Sequence, residues 1–342
     1  MASAAPEELI WEAVDLEGCR GQLDLRREEH GGRPRTLTVM FKYGISNWIY
    51  GDEPIEETFA RLMRHGYDGI ELRGEPSAYD AQGVRDLCRQ HGLHVLSLAG
   101  IYPWPTEDRD LAHPDAEVRR RAVDYVRACC DFAVEVGAPL LIVVPSSVAR
   151  TSPVGAPGTE QAWVRAAEQE WTYAVDSVRQ AARHAEARGI LLAVEPINRY
   201  ETFLVNTCEQ GLRFIREVDS PAVRLHLDTF HMNIEEADVG EAVRRAGSSL
   251  ANVHIADSNR QGVGRGHVNF RALMGALRDI RYDRSLILEP LPPVPDPYIA
   301  SRLSRYRPLW EDYARESIER LRALEEEARR LPAGASSSLQ ET

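Results

Sequence analysis

Apolar residues along the chain fall into eight short runs separated by longer amphipathic stretches. Each run is rich in Leu, Ile and Val and ends at a Gly, a Pro or a polar residue. Near-continuous apolar runs are typical of parallel strands that are covered on both faces. The runs predict strands at 37–45, 69–73, 93–101, 139–146, 190–196, 223–228, 251–256 and 285–290.

The stretches between these runs carry apolar residues at helical spacing. The stretch 113–136 repeats apolar side chains every three to four residues and stops at Gly137, a residue type common just after a helix. A strand-then-helix unit repeated eight times predicts an α/β fold, the (β/α)8 TIM barrel, in a single domain. The other helices are predicted at 54–65, 80–91, 160–188, 208–218, 239–246, 270–277 and 298–331.

A doubly wound open sheet is the alternative to the barrel. That fold calls for a Gly-rich turn after the first strand, and KYGISNWIYG does not have the GxGxxG pattern. The barrel is therefore expected over residues 36–331. Residues 1–35 mix charges, Gly and Pro and are expected to form a disordered N-terminal extension, and residues 332–342 a disordered tail.

Composition excludes several classes of function. Acidic residues outnumber basic ones by 53 to 41, for a formal net charge of −12. This balance argues against a nucleic-acid partner and against an anionic membrane surface. No apolar run reaches the roughly 18 residues of a membrane-spanning helix, and the N-terminus lacks the apolar core of a signal peptide.

The cysteine pattern points to a reducing compartment. The chain has five cysteines, an odd and scattered set without a CxxC pair. A thiolate zinc site and a disulfide framework are both unexpected for such a pattern. We expect reduced thiols in the core of a cytoplasmic protein.

Four potential metal ligands lie at the ends of the last four predicted strands, 26 to 35 residues apart: Glu195, Asp228, His254 and Glu289. In a TIM barrel these strand ends meet at one rim, where active sites lie. One acidic residue at a strand end often caps a helix or pairs with an arginine, but four successive strands fit that interpretation poorly. Three carboxylates and an imidazole would need a cation, and oxygen-rich ligation suits Mn²⁺, Mg²⁺ or Co²⁺.

A second set of polar residues follows the same strands. Glu201, His231 and Arg260 each lie in the loop just beyond a ligand strand, where they could contact a substrate. Asn198 and Arg199 are further candidates.

Two other features allow more than one interpretation. The segment GVGRG at 262–266 could bind a phosphate group or simply form a tight turn. The aromatic residues Trp48, Tyr102 and Trp104 could stack on a sugar or an aromatic aglycone, or could line the pocket wall.

The segments that carry these residues resemble the xylose-isomerase-like barrel superfamily of sugar isomerases and epimerases, and within it the ketose 3-epimerases of the psicose and tagatose type. The resemblance covers about residues 37–325. It rests on EPINRYE (195–201), DTFHMNIEE (228–236), HIADSNRQGVGRGH (254–267) and LEPL (288–291).

The resemblance implies a role for each residue of the two sets. Glu195, Asp228, His254 and Glu289 would bind the metal, usually Mn²⁺. Glu195 and Glu289 would double as the acid and base on opposite faces of the sugar. The second set, Glu201, His231 and Arg260, would hold the first two oxygens of a ketose.

The function expected from this pattern is a divalent-metal-dependent ketose epimerase or isomerase. It would remove a proton beside a carbonyl and pass through a metal-stabilised enediolate. The alternative is a lyase on the same enediolate chemistry, either an inosose dehydratase or the catalytic subunit of a C-glycoside deglycosidase. The deglycosidase type acts on 3-oxo-glucosides with a small partner subunit.

The remaining alternatives fit the sequence less well. A metal-dependent nuclease of the same superfamily would need more histidines at the strand ends and a basic groove. A barrel that binds sugar without catalysis would exchange no proton with solvent. The segments after the first four strands do not match the epimerases, so the sugar stays open, and the resemblance suggests a homo-oligomer.

Overall fold

The structure, a computed structural model, describes residues 41–100, 107–156, 158–294 and 297–330. Its eight strands are all parallel and pair in chain order, and the last strand pairs with the first. This closed barrel confirms the predicted TIM-barrel fold. The strands are β1 Lys42–Ser46, β2 Gly69–Arg73, β3 His94–Ala99, β4 Leu140–Val143, β5 Leu191–Val194, β6 Val223–Asp228, β7 Leu250–Ile255 and β8 Ser285–Leu288.

Helices occupy the connections between the strands. Within the described residues they are α1 Ile55–His65, α2 Ala81–His91, α3 Ala116–Val136, α4 Glu160–Arg188, α5 Cys208–Val218, α6 Thr229–Glu235, α7 Val239–Ala246, α8 Phe270–Asp279, α9 Pro297–Ala300 and α10 Arg307–Arg330. The predicted bounds of α4, α5 and α7 agree with the structure residue for residue.

Local sequence explains why these boundaries were predictable. Thr159 caps α4 by accepting a hydrogen bond from the backbone N–H of Ala162, and Gly189 ends the helix in the left-handed conformation at φ 69°. Thr207 and Gln210 form a capping box at the start of α5. Such caps satisfy the backbone groups that a helix leaves unpaired at its ends, so they fix where it begins and stops.

Two helical predictions were wrong. The segment 298–331 was expected to be one helix, but it divides into α9, a 3₁₀ turn at Ser304–Tyr306 and α10. Pro308 explains the new start, since proline is tolerated in the first turn of a helix and not in its interior. The helix α6 was not predicted, and it begins directly after β6 because Asp228 caps it through the backbone N–H of Phe230.

Other predictions have mixed outcomes. Cys88, Cys129, Cys130 and Cys208 are free thiols, as expected. Both predicted disordered ends, residues 36–40, Cys19, Tyr102 and Trp104 lie outside the described residues. No helix of the described part is long and apolar enough to cross a membrane.

Strand register brings the ends of β5 to β8 together. Asp228 pairs with His254 across β6 and β7, and the pairing of β7 with β8 runs to Ile255 and Leu288. The residue after β5, Glu195, stays bonded to the sheet because its backbone N–H donates to Val143 at 3.0 Å. The carboxyl ends of these four strands therefore form one continuous rim.

Candidate active site

The four predicted metal ligands lie together on this rim. Glu195 and Glu289 directly follow β5 and β8, Asp228 ends β6, and His254 is the penultimate residue of β7. Their exposed fractions are 5, 3, 1 and 2% in that order. Burial of three carboxylates and an imidazole at one place is costly unless they share compensating charge.

The potential ligand atoms form three overlapping groups, within each of which they lie no more than 4.8 Å apart. Among the described residues no single group contains all four predicted ligands, but the overlaps connect them in a chain. His254 Nδ1 lies 3.2 Å from Oε2 of Glu289. Buried oxygen and imidazole donors at this spacing fit a divalent metal ion. The groups are Glu195, His226 and His254; Glu71, His254 and Glu289; and Glu195, Asp228 and His231.

Arg260 supplies positive charge to the same cluster. Its guanidinium contacts Oδ2 of Asp228 at 2.8 Å and Oε2 of Glu289 at 2.9 Å, and lies over the ring of Phe230. Its backbone has φ 62°, an uncommon conformation for a residue with a side chain. The structure therefore brings Arg260 from its loop into contact with two predicted ligands.

The loop that carries Arg260 is organised by a buried carboxylate. Asp257 accepts the backbone N–H of Gly264 at 2.7 Å, and Val263 donates its own N–H to the hydroxyl of Ser317 in α10. Because the amide of Gly264 is bonded to a carboxylate and that of Val263 to a hydroxyl, the two do not form a phosphate cradle. Of the two interpretations of GVGRG, the structure favours the tight turn, with Gly264 at φ 82°.

His231 and Glu201 approach the cluster from β6 and β5. His231 was predicted to lie in a loop, but it lies in α6. Its Nε2 is 3.6 Å from Oδ2 of Asp228. Asn198 connects the two residues: its Nδ2 contacts Nδ1 of His231 at 2.8 Å and donates to Oε1 of Glu201 at 2.8 Å. Arg199 instead pairs with Glu235 at the protein surface.

Sequence reasoning missed two residues of the cluster, Glu71 and His226. Both are fully buried, in β2 and β6. Nε2 of His226 lies 3.6 Å from Oε1 of Glu195, and the ring contacts that of His254 with centroids 4.2 Å apart. The signal for His226 was its position two residues before Asp228, because alternate strand residues face the same side. The signal for Glu71 was an acidic residue in the middle of an otherwise apolar strand that ends in Arg73.

Trp48 also contacts the cluster, in a way that the sequence did not predict. Its indole N–H donates to Oε1 of Glu289, so its role in this structure is hydrogen bonding to a predicted ligand. The ring is 6% exposed. Of the three aromatic candidates it is the one within the described residues.

The pKa values of the two predicted acid–base residues are shifted in opposite directions. Burial, with repulsion from Asp228 and Glu289, raises the pKa of Glu195 well above its usual value. Burial also acts to raise the pKa of Glu289, but the charge and hydrogen bond of His254, with Arg260, outweigh it and lower that pKa to about 2. The surroundings therefore favour the neutral form of Glu195 and the charged form of Glu289.

The pKa values of the three buried histidines of the cluster are also shifted in opposite directions. Burial lowers the pKa of His226 well below its usual value and also lowers that of His231. Burial acts in the same direction on His254, but Glu289 and Glu71 outweigh it and raise its pKa well above the usual value. The surroundings of His254, with Glu289 and Glu71, therefore favour a positive charge, whereas those of His226 and His231 favour the neutral ring.

Comparison with known proteins shows which proteins this chain is similar to. Residues 59–324 match the family profile described as "Xylose isomerase-like TIM barrel". The chain is 31% identical over 259 residues to the D-psicose 3-epimerase of Ruminiclostridium cellulolyticum, covering 74% of this chain and 82% of that protein. It is 29% identical to the 3-dehydro-D-guloside 4-epimerase of Escherichia coli K12, covering 72% of this chain and 91% of that enzyme.

A solved structure agrees with the sequence comparison. The structure of an L-ribulose 3-epimerase matches with a TM-score of 0.72 and 30% identity, over 85% of this chain and 96% of the other. The family match over residues 59–324 includes the ends of β5 to β8, which carry the cluster.

Proposed function

Because this chain belongs to the xylose isomerase-like TIM barrel family, and because its buried carboxylates and imidazole meet at one rim, we propose that it is a divalent-metal-dependent epimerase of keto sugars. The observation that carries the proposal is the group formed by Glu195, Asp228, His254 and Glu289 at the ends of β5 to β8. Relatives named as 3-epimerases and a 4-epimerase support the reaction type.

The four residues of this group would hold the metal ion. They offer three carboxylates and one imidazole nitrogen, a donor set that suits Mn²⁺ and also accommodates Mg²⁺ or Co²⁺. A divalent ion at this place would supply Lewis-acid polarisation of the ketone and compensate the buried negative charge.

The acid and base are Glu195 and Glu289. They follow β5 and β8, three strands apart in a barrel of eight, so they approach a bound sugar from opposite sides. One carboxylate removes the proton from the carbon beside the carbonyl, and the other returns a proton to the opposite face. The configuration at that carbon is thereby inverted.

Substrate oxygens are positioned by Arg260, His231 and Glu201. The guanidinium of Arg260 and the imidazole of His231 lie beside Asp228, where they can donate hydrogen bonds to a carbonyl or hydroxyl oxygen. Glu201 can accept from a hydroxyl, since Asn198 holds its carboxylate in the same region. The sugar therefore binds through two neighbouring oxygens over the metal ligands.

Deuterium incorporation tests this function. Purified protein loaded with Mn²⁺ is incubated in D₂O with ketoses, ketose phosphates and 3-oxo-glycosides, and the sugars are analysed by mass spectrometry and chromatography. The expected product is an epimer with one deuterium on a carbon beside the carbonyl. Release of an aglycone or of water from a 3-oxo substrate would instead assign the lyase reaction to the same site.

A pair of variants separates this site from contaminating activity. Glu289→Gln is expected to abolish turnover while the sugar still binds, because the amide cannot accept the proton. Glu241→Gln, at an exposed position of α7, is the matched control and is expected to keep the full rate. A wild-type rate in Glu289→Gln would overturn the assignment.

A further inference from the structure

Glu71 is a buried carboxylate that the proposed reaction does not use. It lies in β2 with no exposed surface. Its Oε2 accepts a hydrogen bond from the hydroxyl of Ser97 at 2.6 Å and lies 3.1 Å from Nε2 of His254. Both contacts are made by Oε2, whereas Oε1 is buried and has no hydrogen-bond partner among the described residues. A buried carboxylate is unfavourable unless its partners are fixed, so the contacts to Ser97 and His254 are the ones that hold Glu71 in place.

We infer that Glu71, held by Ser97, is a positioning residue that fixes the ring of His254 for metal binding. Glu71 accepts the proton on Nε2 of His254, which leaves the lone pair of Nδ1 directed to the metal. The inference rests on the proposed function, since it assigns to His254 the role of a ligand.

The donor and acceptor chemistry supports this assignment. An ionised carboxylate can only accept hydrogen bonds, and an imidazole presents a lone pair on one nitrogen when the other carries a proton. Nε2 of His254 faces Glu71, whereas Nδ1 of His254 lies 3.2 Å from Oε2 of Glu289. Both nitrogens therefore face a carboxylate oxygen. A nitrogen that binds the metal carries no proton, and Nδ1 is the nitrogen beside the proposed ligand Glu289, so the proton of the metal-bound ring belongs on Nε2, which faces Glu71.

The same geometry argues against Glu71 as a direct ligand. One oxygen of Glu71 and one of Glu289 lie within 4.8 Å of each other, but the two residues contact different nitrogens of the His254 ring, and only Nδ1 lies beside the proposed ligand Glu289. The Oε2 atom that faces His254 is also the atom bonded to Ser97. The ring of His226 packs against His254 at an interplanar angle of 77°, which limits rotation of the ring.

Metal affinity tests the inference. Mn²⁺ binding to the full chain is measured by isothermal titration calorimetry for the wild type and for Glu71→Gln, Ser97→Ala and Ser97→Thr. Loss of a residue that orients a metal-binding histidine typically weakens affinity by roughly 10–100-fold. We expect a loss in this range for Glu71→Gln, a smaller loss for Ser97→Ala, and near wild-type affinity for Ser97→Thr, which keeps the hydroxyl.

A matched control separates positioning from general damage to the fold. Glu325 is another buried glutamate; it accepts a hydrogen bond from Tyr43 near the amino end of β1, away from the rim. Glu325→Gln is expected to change thermal stability and to leave the Mn²⁺ dissociation constant within twofold of wild type. If Glu71→Gln does not fold, the Mn²⁺ affinities of Ser97→Ala and Ser97→Thr test the inference in its place.

Spectroscopy distinguishes positioning from ligation. The visible spectrum of Co²⁺-loaded Glu71→Gln should keep the band positions of the wild type, because the ligand set is unchanged. Shifted bands would identify Glu71 as a ligand and overturn the inference. A folded Glu71→Gln variant whose Mn²⁺ affinity stays within twofold of wild type would overturn the inference about Glu71 and leave the proposed metal site standing. A wild-type protein that binds no divalent ion would overturn both the proposed metal site and the inference.

Discussion

Asn198 holds His231 in a defined tautomer. Nδ2 of Asn198 lies 2.8 Å from Nδ1 of His231, and the amide is oriented because its Oδ1 accepts the backbone N–H of Tyr200 at 3.0 Å. Nδ1 of His231 faces a donor, so it must accept, and the ring proton is on Nε2. His231 thus differs from His254: Nδ1 of His231 faces a donor, whereas both nitrogens of His254 face carboxylate oxygens.

The first prediction concerns this amide. Asn198→Asp replaces the donor that faces His231 by an acceptor of the same shape, so the ring proton should move to Nδ1. Nε2 then loses the N–H that would contact the sugar, and Glu201 loses the amide donor that holds its carboxylate. The value of kcat/KM should therefore fall about tenfold to a hundredfold, the worth of one or two hydrogen bonds. Steady-state kinetics measures the loss, and ¹⁵N spectra of labelled histidine report the tautomer.

Metal binding provides the internal control for Asn198→Asp. His231 is not among the four proposed ligands, so the Mn²⁺ dissociation constant should stay within a few-fold of wild type. An unchanged kcat/KM together with a tautomer shift would show that Nε2 of His231 does not contact the substrate.

The second prediction concerns Trp48. Trp48→Phe keeps a large ring beside Glu289 but removes the indole N–H that holds Oε1. A hydrogen bond to a charged group is worth about 1.5–3 kcal/mol, so we expect kcat to fall about tenfold or more while the sugar KM changes less. The measurement is a set of initial rates over a range of sugar concentrations.

Trp310→Phe is the matched control for Trp48→Phe. Trp310 is 2% exposed, and its indole nitrogen has no hydrogen-bond partner among the described residues. Its replacement should lower thermal stability through lost packing and leave kcat unchanged. Equal losses of kcat in both variants would refute a specific role for the Trp48 hydrogen bond.

The third prediction concerns a charge network beside the rim. Arg150, after β4, contacts Oδ2 of Asp110 and Oε2 of Glu170, each at 2.6 Å. The two acidic residues are 1 and 3% exposed. Arg150→Met would leave two buried carboxylates unpaired, so the free energy of unfolding should fall by about 3–5 kcal/mol in urea denaturation.

An exposed arginine provides the comparison for Arg150. Arg120 also pairs with two acidic residues, Glu117 and Asp124, but on the outer surface of α3, where the side chain is 60% exposed. Solvent screens such pairs, so Arg120→Met should change stability little. Similar losses of unfolding free energy in Arg150→Met and Arg120→Met would contradict the claim that burial makes the Arg150 ion pairs important for stability.

The fold could be predicted from the sequence because each strand and helix is marked locally. Apolar runs, caps such as Thr159 and terminal glycines such as Gly189 act over a few residues. The four rim residues were also predictable, since a closed parallel barrel brings consecutive strand ends together whatever the details of packing. Their placement therefore needed only the order of the strands.

The remaining parts of the site depend on contacts between distant residues. Glu71 and His254 are 183 residues apart, and nothing near Glu71 in the sequence announces its partner. The helix α6 depends on Asp228 serving both as its cap and as part of the cluster. The break before α10 was missed because the amphipathic pattern continues across it, although Pro308 was a local signal.

The fourth prediction concerns the pH dependence of thiol labelling. Burial raises the pKa of Cys129, Cys130 and Cys208 to about 12. The thiolate is the reactive form, and at pH 8 only about one in ten thousand of each of these thiols would be ionised, so labelling would be correspondingly slow. We expect 5,5′-dithiobis(2-nitrobenzoic acid) to label at most two of the five cysteines rapidly in the native protein, and all five in guanidinium chloride. Labelling of the other three should accelerate about tenfold per pH unit up to their pKa; rapid native labelling of three or more thiols at pH 8 would show that this part of the core is open to solvent.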